Sequence, residues 1–205
     1  MNYELIIEIV AVVTGLLSVW FSKKINVLVF PIGIISVLLY VFIFIKNELY
    51  ANAVINFIYF LISVFGWWNW GKSTRQQVNE STSQQVNKST SQRDDGELKV
   101  TFLNGKENII VYSLFTITFL SIVIFSNSVI ATKLDYITSA AGLIAMMLTS
   151  LKKVENWIFY LFADIVLIPL CIYNGLYLTS LQYVAYTILA IMGLISWSKE
   201  ARQNV

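Results

Sequence analysis

Long apolar stretches broken by short polar turns run along most of this chain, and seven of them are candidate membrane spans: Leu5–Phe21, Val27–Ile45, Ala51–Trp70, Ile109–Ala131, Tyr136–Leu151, Trp157–Tyr173 and Leu178–Trp197. Crossing a hydrocarbon layer of about 30 Å takes about 17–25 mainly apolar residues as a helix. The fifth stretch is short and draws on Thr149 and its flanks for completion. The runs are continuously apolar rather than alternating, which predicts helices and not barrel strands. Glu4 and Glu8 lead the first stretch, with no Lys or Arg before it and no small-x-small cleavage site after it. It therefore reads as a retained helix rather than a secretion signal.

The spans and their breaks recur. Sliding the chain against itself by 127 positions pairs Gly15-Leu16 with Gly142-Leu143, Asn47 with Asn174 and Leu49-Tyr50 with Leu176-Tyr177. The same shift pairs Tyr59, Gly66 and Trp70 with Tyr186, Gly193 and Trp197, without a gap. The expected layout is an all-α membrane protein of seven transmembrane helices, three spans, one linking span and three more. Four helices precede the second triplet, so both triplets enter from the same face and the repeat is parallel, one of the plans known for transporters. A solute site would lie between the triplets. The chain divides into a first three-helix repeat (1–71), a cytoplasmic low-complexity loop (72–106), a linking helix (107–133) and a second repeat with a short cytoplasmic tail (134–205).

Within the loop, QQVNESTS (76–83) is followed by QQVNKSTS (84–91), a tandem octapeptide differing at one position. Such a Ser/Thr/Gln/Asn tract cannot bury enough apolar surface to offset its ordering entropy, which predicts a flexible tether. Residues 98–103 alternate weakly before Asn104-Gly105, a turn signal.

Composition agrees with the pattern, at 57% apolar and 13% charged residues where soluble domains hold about a quarter charged. Charge sets the orientation. Lys23, Lys24, Lys72, Arg75, Lys88, Arg93, Lys99, Lys106, Lys152, Lys153, Lys199 and Arg202 share one side and Lys46 and Lys133 the other, twelve against two. The positive side faces the cytoplasm, so the N-terminus lies outside and the C-terminus inside.

The chain has no His, a lone Cys171 inside a span, and no HExxH, Walker-type or dinucleotide loop. Metal-hydrolase, nucleotide-driven and thiol chemistry lack their residues, so no enzyme activity, cofactor, metal site or nucleic-acid partner is expected. Cys171 reads as core filling. A sensor or scaffold would need a sizeable cytoplasmic domain, and only the repetitive tract is on offer.

Intramembrane polar residues are the remaining chemistry. Asp164 lies near the middle of the sixth span, where an ionised carboxylate costs at least a few kcal/mol unless it faces a partner or a wet cavity. It is either a solute-binding group or a buried acid bonded to a neighbouring helix; its first-repeat counterpart is Val37. Asn56 in the third span either glues helices or reads a solute. Gln182 reads as interfacial. Trp67, Trp68, Trp70 and Trp197 fall where an aromatic belt anchors spans. Trp157, Tyr160 and Asp164 share a helical face by spacing; rings leading to a carboxylate suit a flat cation, with packing against neighbouring helices an equal rival.

ELYANAVINFIYFLISVFGWWNW (48–70) and ENWIFYLFADIVLIPLCIYNGLYLTSLQYVAYTILAIMG (155–193) resemble the PnuC family of bacterial vitamin transporters, on LYAN…GWW-x-W (49–70) and NW-x₂-Y-x₃-D…P-x₃-Y-x-GLYLT (156–179). The resemblance implies the 3+1+3 fold, residence in the bacterial inner membrane among its lipids, and uptake of nicotinamide riboside, a precursor of NAD, by facilitated diffusion. A cytoplasmic kinase would trap the solute by phosphorylation. It leaves thiamine, or less readily riboflavin, as the alternative vitamin, and allows a homo-oligomer. It places the substrate against Asn56, Tyr59, Asn156, Trp157, Tyr160 and Asp164. The family's nicotinamide riboside carriers usually hold Gln where Asn56 stands here, which leaves the exact vitamin open. Nicotinamide riboside and thiamine both carry a ring cation that suits Asp164; riboflavin does not. Proton or sodium coupling usually leaves a chain of ionisable groups, and Asp164 stands almost alone.

The charge bias sets a test of orientation. In a Cys171→Ser background, a cysteine introduced in 76–91 should resist an impermeant thiol reagent in intact cells and react once the membrane is opened. Labelling of intact cells would invert the topology.

Overall fold

A computed structural model describes residues 3–46, 48, 50–84, 98–125, 130–175 and 177–204. Among these, seven helices form: α1 (Tyr3–Lys23), α2 (Val29–Lys46), α3 (Tyr50–Gln84), α4 (Gly105–Phe125), α5 (Ile130–Ser150), α6 (Asn156–Tyr173) and α7 (Tyr177–Gln203). Six are long and apolar enough to cross a membrane. The exception is α5, which carries Lys133 and Asp135 in its opening turns and ends on Thr149 and Ser150. Outer faces carry many exposed apolar side chains, with Ile109, Ile117 and Ile124 of α4 each more than half exposed, as expected where lipid replaces water as the solvent.

Two triplets pack in the same way. Helices α1, α2 and α3 make one set of neighbours and α5, α6 and α7 the other, while α1 meets α7 and α3 meets α5 across the middle. The bounds of α1 and α2, and the start of α3, recur 127 positions later as those of α5, α6 and α7. The correspondence extends to single hydrogen bonds. After α1, Ile25 N–H donates to Ser22 O at 2.9 Å and Asn26 N–H to Phe21 O at 3.0 Å; after α5, Lys152 N–H donates to Thr149 O at 3.0 Å and Lys153 N–H to Leu148 O at 2.9 Å. These pairs close a left-handed helix cap, and the residue at its centre has φ 55° in Ile25 and φ 53° in Lys152. Side chains seldom adopt that region, so its use twice at one interval is a shared device. The turns at the opposite end match as well: Glu48 (φ 59°) and Gly175 (φ 75°) donate their N–H groups to Ile45 O and Ile172 O. Asn47, Leu49 and Leu176 lie outside the described residues.

Between the triplets, at the end where α1 turns into α2 and α5 into α6, an aromatic core closes the bundle. Phe30 meets Trp70 edge-on at 5.0 Å between ring centroids, Trp157 meets Trp197 edge-on at 5.6 Å, and Trp70 and Trp197 pack on each other at 5.9 Å. Phe30 and Trp157 press on Gly66 and Gly193, where a Cβ would collide with the ring. Both glycines are therefore notches for a ring and explain two of the repeated identities. Trp67 and Trp68 are about half exposed, whereas Trp70 and Trp197, expected in the same aromatic belt, are buried in this core instead. The Trp197 indole donates to Ser22 O at 2.9 Å, which ties α7 to the end of α1.

The segment after the third span differs from the expected tether on both sides. Helix α3 continues through Gln84 and so includes the first octapeptide; most of the second, with Lys88 and Arg93, lies outside the described residues. Residues 98–104 return as an extended strap. Thr101 exchanges backbone hydrogen bonds with Lys152 and Val154, Val100 is buried against the aromatic core, and Asn204 donates to Val100 O at 3.1 Å. Asn104 is a helix cap: its Oδ1 accepts from Glu107 N–H and its own N–H donates to Glu107 Oε2, each at 2.9 Å. This reciprocal arrangement starts α4, and Lys153 adds an ion pair to Glu107 at 2.9 Å.

Trp197→Ala removes a buried indole and its hydrogen bond, and should destabilise the purified protein by about 3–5 kcal/mol in chemical unfolding in detergent. Trp68→Ala, at a position 58% exposed, should change stability by less than about 0.5 kcal/mol.

Candidate functional site

Asp164 marks the interior site. It stands on α6, about two turns past Trp157 of the aromatic core, and is 6% exposed. The phenols of Tyr59 on α3, Tyr160 on α6, and Tyr183 and Tyr186 on α7 all lie within electrostatic range of its carboxylate. Gln182 donates to Tyr186 Oη at 2.9 Å and also interacts with Tyr40 of α2. Helices of both triplets thus deliver rings and one acid to a shared interior.

The six residues expected from sequence divide by place. Tyr59, Tyr160 and Asp164 come together in this cluster. Tyr160 also hydrogen-bonds the Met146 sulfur at 3.5 Å. Asn56 lies one turn before Tyr59 on α3, half-buried, with its amide donating to Asn52 O at 2.9 Å. Asn156 and Trp157 sit deeper, each with no exposed surface. Asn156 fastens the α5–α6 turn through Lys153 O at 2.6 Å. Trp157 lies between Gly193 and Trp197 and reaches the site only through Tyr160, whose ring is 6.1 Å away. The spacing correctly put Trp157, Tyr160 and Asp164 on one face; that face runs from the packed core to the tyrosine cluster.

Sequence reading missed Tyr40, Tyr183 and Tyr186, and placed Gln182 at the interface, whereas it is half-buried and bonded within the cluster. A signal was available. Shifting Asn56 and Tyr59 by 127 positions lands on Tyr183 and Tyr186.

Three polar groups here, the Asp164 carboxylate and the Tyr59 and Tyr183 hydroxyls, have no hydrogen-bond partner among the described residues. The Tyr186 hydroxyl, at the repeat-related position, is held by Gln182. Charge, aromatic faces and free hydrogen-bonding capacity are what an organic cation needs. No group of three or more His, Cys, Asp or Glu among the described residues could hold a metal ion. A shallow surface groove on α4, lined by Ile109, Tyr112, Ser113, Thr116 and Ile117, shares no residue with this cluster.

Comparison with known proteins identifies the fold and the family. Residues 5–199 match the family described as nicotinamide mononucleotide transporter. The chain belongs to this family. It is a multi-pass membrane transporter and not an enzyme. It is 24% identical to the nicotinamide riboside transporter PnuC of Escherichia coli (strain K12), across 97% of this chain and 87% of that protein, and equally to the Shigella flexneri protein of the same name. The crystal structure of the vitamin B3 transporter PnuC superposes on all of this chain and 85% of its own, with a TM-score of 0.71 at 22% identity, which establishes the shared helical fold.

Because Tyr186 is bonded within the protein and Tyr59 is not, removing their hydroxyls should have unequal effects. Tyr186→Phe should lower stability by about 0.6–1.7 kcal/mol, as for hydrogen bonds between membrane helices. Tyr59→Phe should leave the unfolding midpoint unchanged in the ligand-free protein.

Proposed function

We propose that this protein imports nicotinamide riboside across the bacterial inner membrane by facilitated diffusion, with a cytoplasmic kinase trapping the product. The observation that carries this reading is the buried, unpartnered Asp164 carboxylate ringed by tyrosines. A carboxylate held in hydrocarbon is costly alone and is offset by a pyridinium ring between aromatic faces. Tyr59, Tyr160 and Asp164 make the contacts, Asn56 borders them, and Asn156 and Trp157 form the packed support beneath.

The phosphate-free riboside is favoured over the mononucleotide on electrostatic grounds. The groups around Asp164 are phenols and an amide, whereas a phosphate asks for Arg or Lys, and a carboxylate would repel it. The relatives named as nicotinamide riboside transporters support the same choice.

The two triplets, with α4 linking them, form a 3+1+3 parallel arrangement in which α5 also crosses the membrane. The matched bounds, caps and ring notches of α1–α3 and α5–α7 support this, and α5 lies between α3, α4 and α6. The positive charges put the aromatic core and the strap on the cytoplasmic side, with the N-terminus outside.

Without an energy-coupling device a solute shifts inward-open and outward-open populations only through its differential affinity for them. In liposomes carrying the protein, labelled nicotinamide riboside should reach equal concentrations on both sides, and accumulate only when a riboside kinase and ATP are enclosed. Accumulation of unmodified riboside on a proton or sodium gradient would rule this mechanism out.

A further inference from the structure

Two contacts cross between the triplets in reciprocal fashion. The Tyr186 ring of α7 ends at Gly15 of α1: a Cβ on Gly15 would lie 2.6 Å from Tyr186 Oη and 3.1 Å from Ser36 Oγ. The Tyr59 ring of α3 ends at Gly142 of α5, where a Cβ would fall on Tyr59 Oη. Gly15 and Gly142, like Tyr59 and Tyr186, are 127 positions apart. Each tyrosine of one triplet therefore seats in a glycine notch of the other. Neither glycine has a positive φ, so backbone freedom does not require glycine there; the space occupied by the phenol does.

The two seats differ in one respect. Tyr186 Oη also accepts from Gln182, whose counterpart in the first triplet is Ile55. Tyr59 Oη has no such bond among the described residues and, like Tyr186, lies within electrostatic range of Asp164. One copy is closed within the protein; the other retains its hydrogen-bonding capacity.

We infer that Gly142 is a positioning residue for the substrate site: its missing side chain sets the depth of the Tyr59 hydroxyl, so that this hydroxyl and Asp164 address one ligand. Gly15 performs the steric half of the same task for Tyr186, where the hydroxyl serves packing instead of binding. The inference rests on the substrate reading given above. It is separable from that reading, because the steric seat can be measured without ligand.

The test is a double-mutant cycle on the purified full chain, with nicotinamide riboside as probe and two readouts, binding by calorimetry and the thermal unfolding midpoint without ligand. Gly142→Ala should lower the midpoint and weaken binding tenfold or more. Tyr59→Phe should weaken binding with the midpoint unchanged. In Tyr59→Phe/Gly142→Ala the lost oxygen makes room for the new methyl, so the midpoint should recover toward wild type while binding stays at the Tyr59→Phe level. Gly15→Ala should lower the midpoint, be relieved by Tyr186→Phe, and leave riboside affinity within about threefold.

Additive losses in the Gly142 cycle, in either readout, would overturn the seat. So would unchanged binding in Gly142→Ala. If the wild-type protein binds no riboside, the substrate reading fails and the ligand role of Gly142 fails with it. Recovery of the midpoint in the double variant would then still establish the steric seat.

Discussion

The hydrocarbon layer offers no water, so every hydroxyl, amide and carboxyl carried into it must find a partner in the protein or in the cargo. Most polar side chains in this bundle meet that demand locally. Thr14, Ser63, Thr118, Thr149 and Thr187 return a hydrogen bond to a carbonyl of their own helix. Ser18 and Ser36 instead bond across α1 and α2, and Gln182 is absorbed by Tyr186. Deeper in the core Asn156 Oδ1 and the Trp157 Nε1–H go without a partner among the described residues, and in the tyrosine cluster the Asp164 carboxylate and the Tyr59 and Tyr183 hydroxyls do so beside one another. Their unmet demand, enclosed by rings, is the physical basis for reading a binding site here.

Rigidity comes from the opposite kind of contact. Trp70 against Trp197, each braced edge-on by Phe30 or Trp157, joins the triplets through dispersion and shape with little polar content. Such ring pairs contribute about 0.5–1.5 kcal/mol beyond their buried area. The strap at 98–104 adds Val100 to this core and holds the start of α4 against the α5–α6 turn. One end of the bundle is thus tightly packed, while mid-depth carries the polar interior. A site that must alternately face two sides benefits from this division.

Much of the architecture was legible in the sequence because lipid imposes a simple rule, long apolar runs, and six helices obey it. The identities at an interval of 127 positions were legible for a different reason. Gly15, Gly66, Gly142 and Gly193 are fixed by rings that occupy their missing side chains, so sterics preserved identities where general hydrophobicity would not. The connection after the third span was less legible. Polar composition gave no hint that α3 continues to Gln84, or that Thr101 pairs with a turn fifty residues away in sequence. The site was read by half: periodicity found the α6 face, but Tyr183, Tyr186 and Gln182 come from a helix whose approach only tertiary packing reveals. Interface position alone could not separate Trp67 and Trp68, which face outward, from Trp70, which turns into the core.

The central claim is that an interior carboxylate recognises a ring cation. Nicotinamide riboside and its reduced form have nearly the same shape, but the reduced ring is neutral, so the pair isolates charge from fit. Calorimetric titration of the wild-type protein and of Asp164→Asn with both compounds tests the claim directly. The oxidised riboside should bind the wild type at least tenfold more tightly than the reduced one, a difference of about 1.4 kcal/mol, and the preference should disappear in Asp164→Asn. Equal affinity of the wild type for both forms, or a preference that survives in Asp164→Asn, would contradict it.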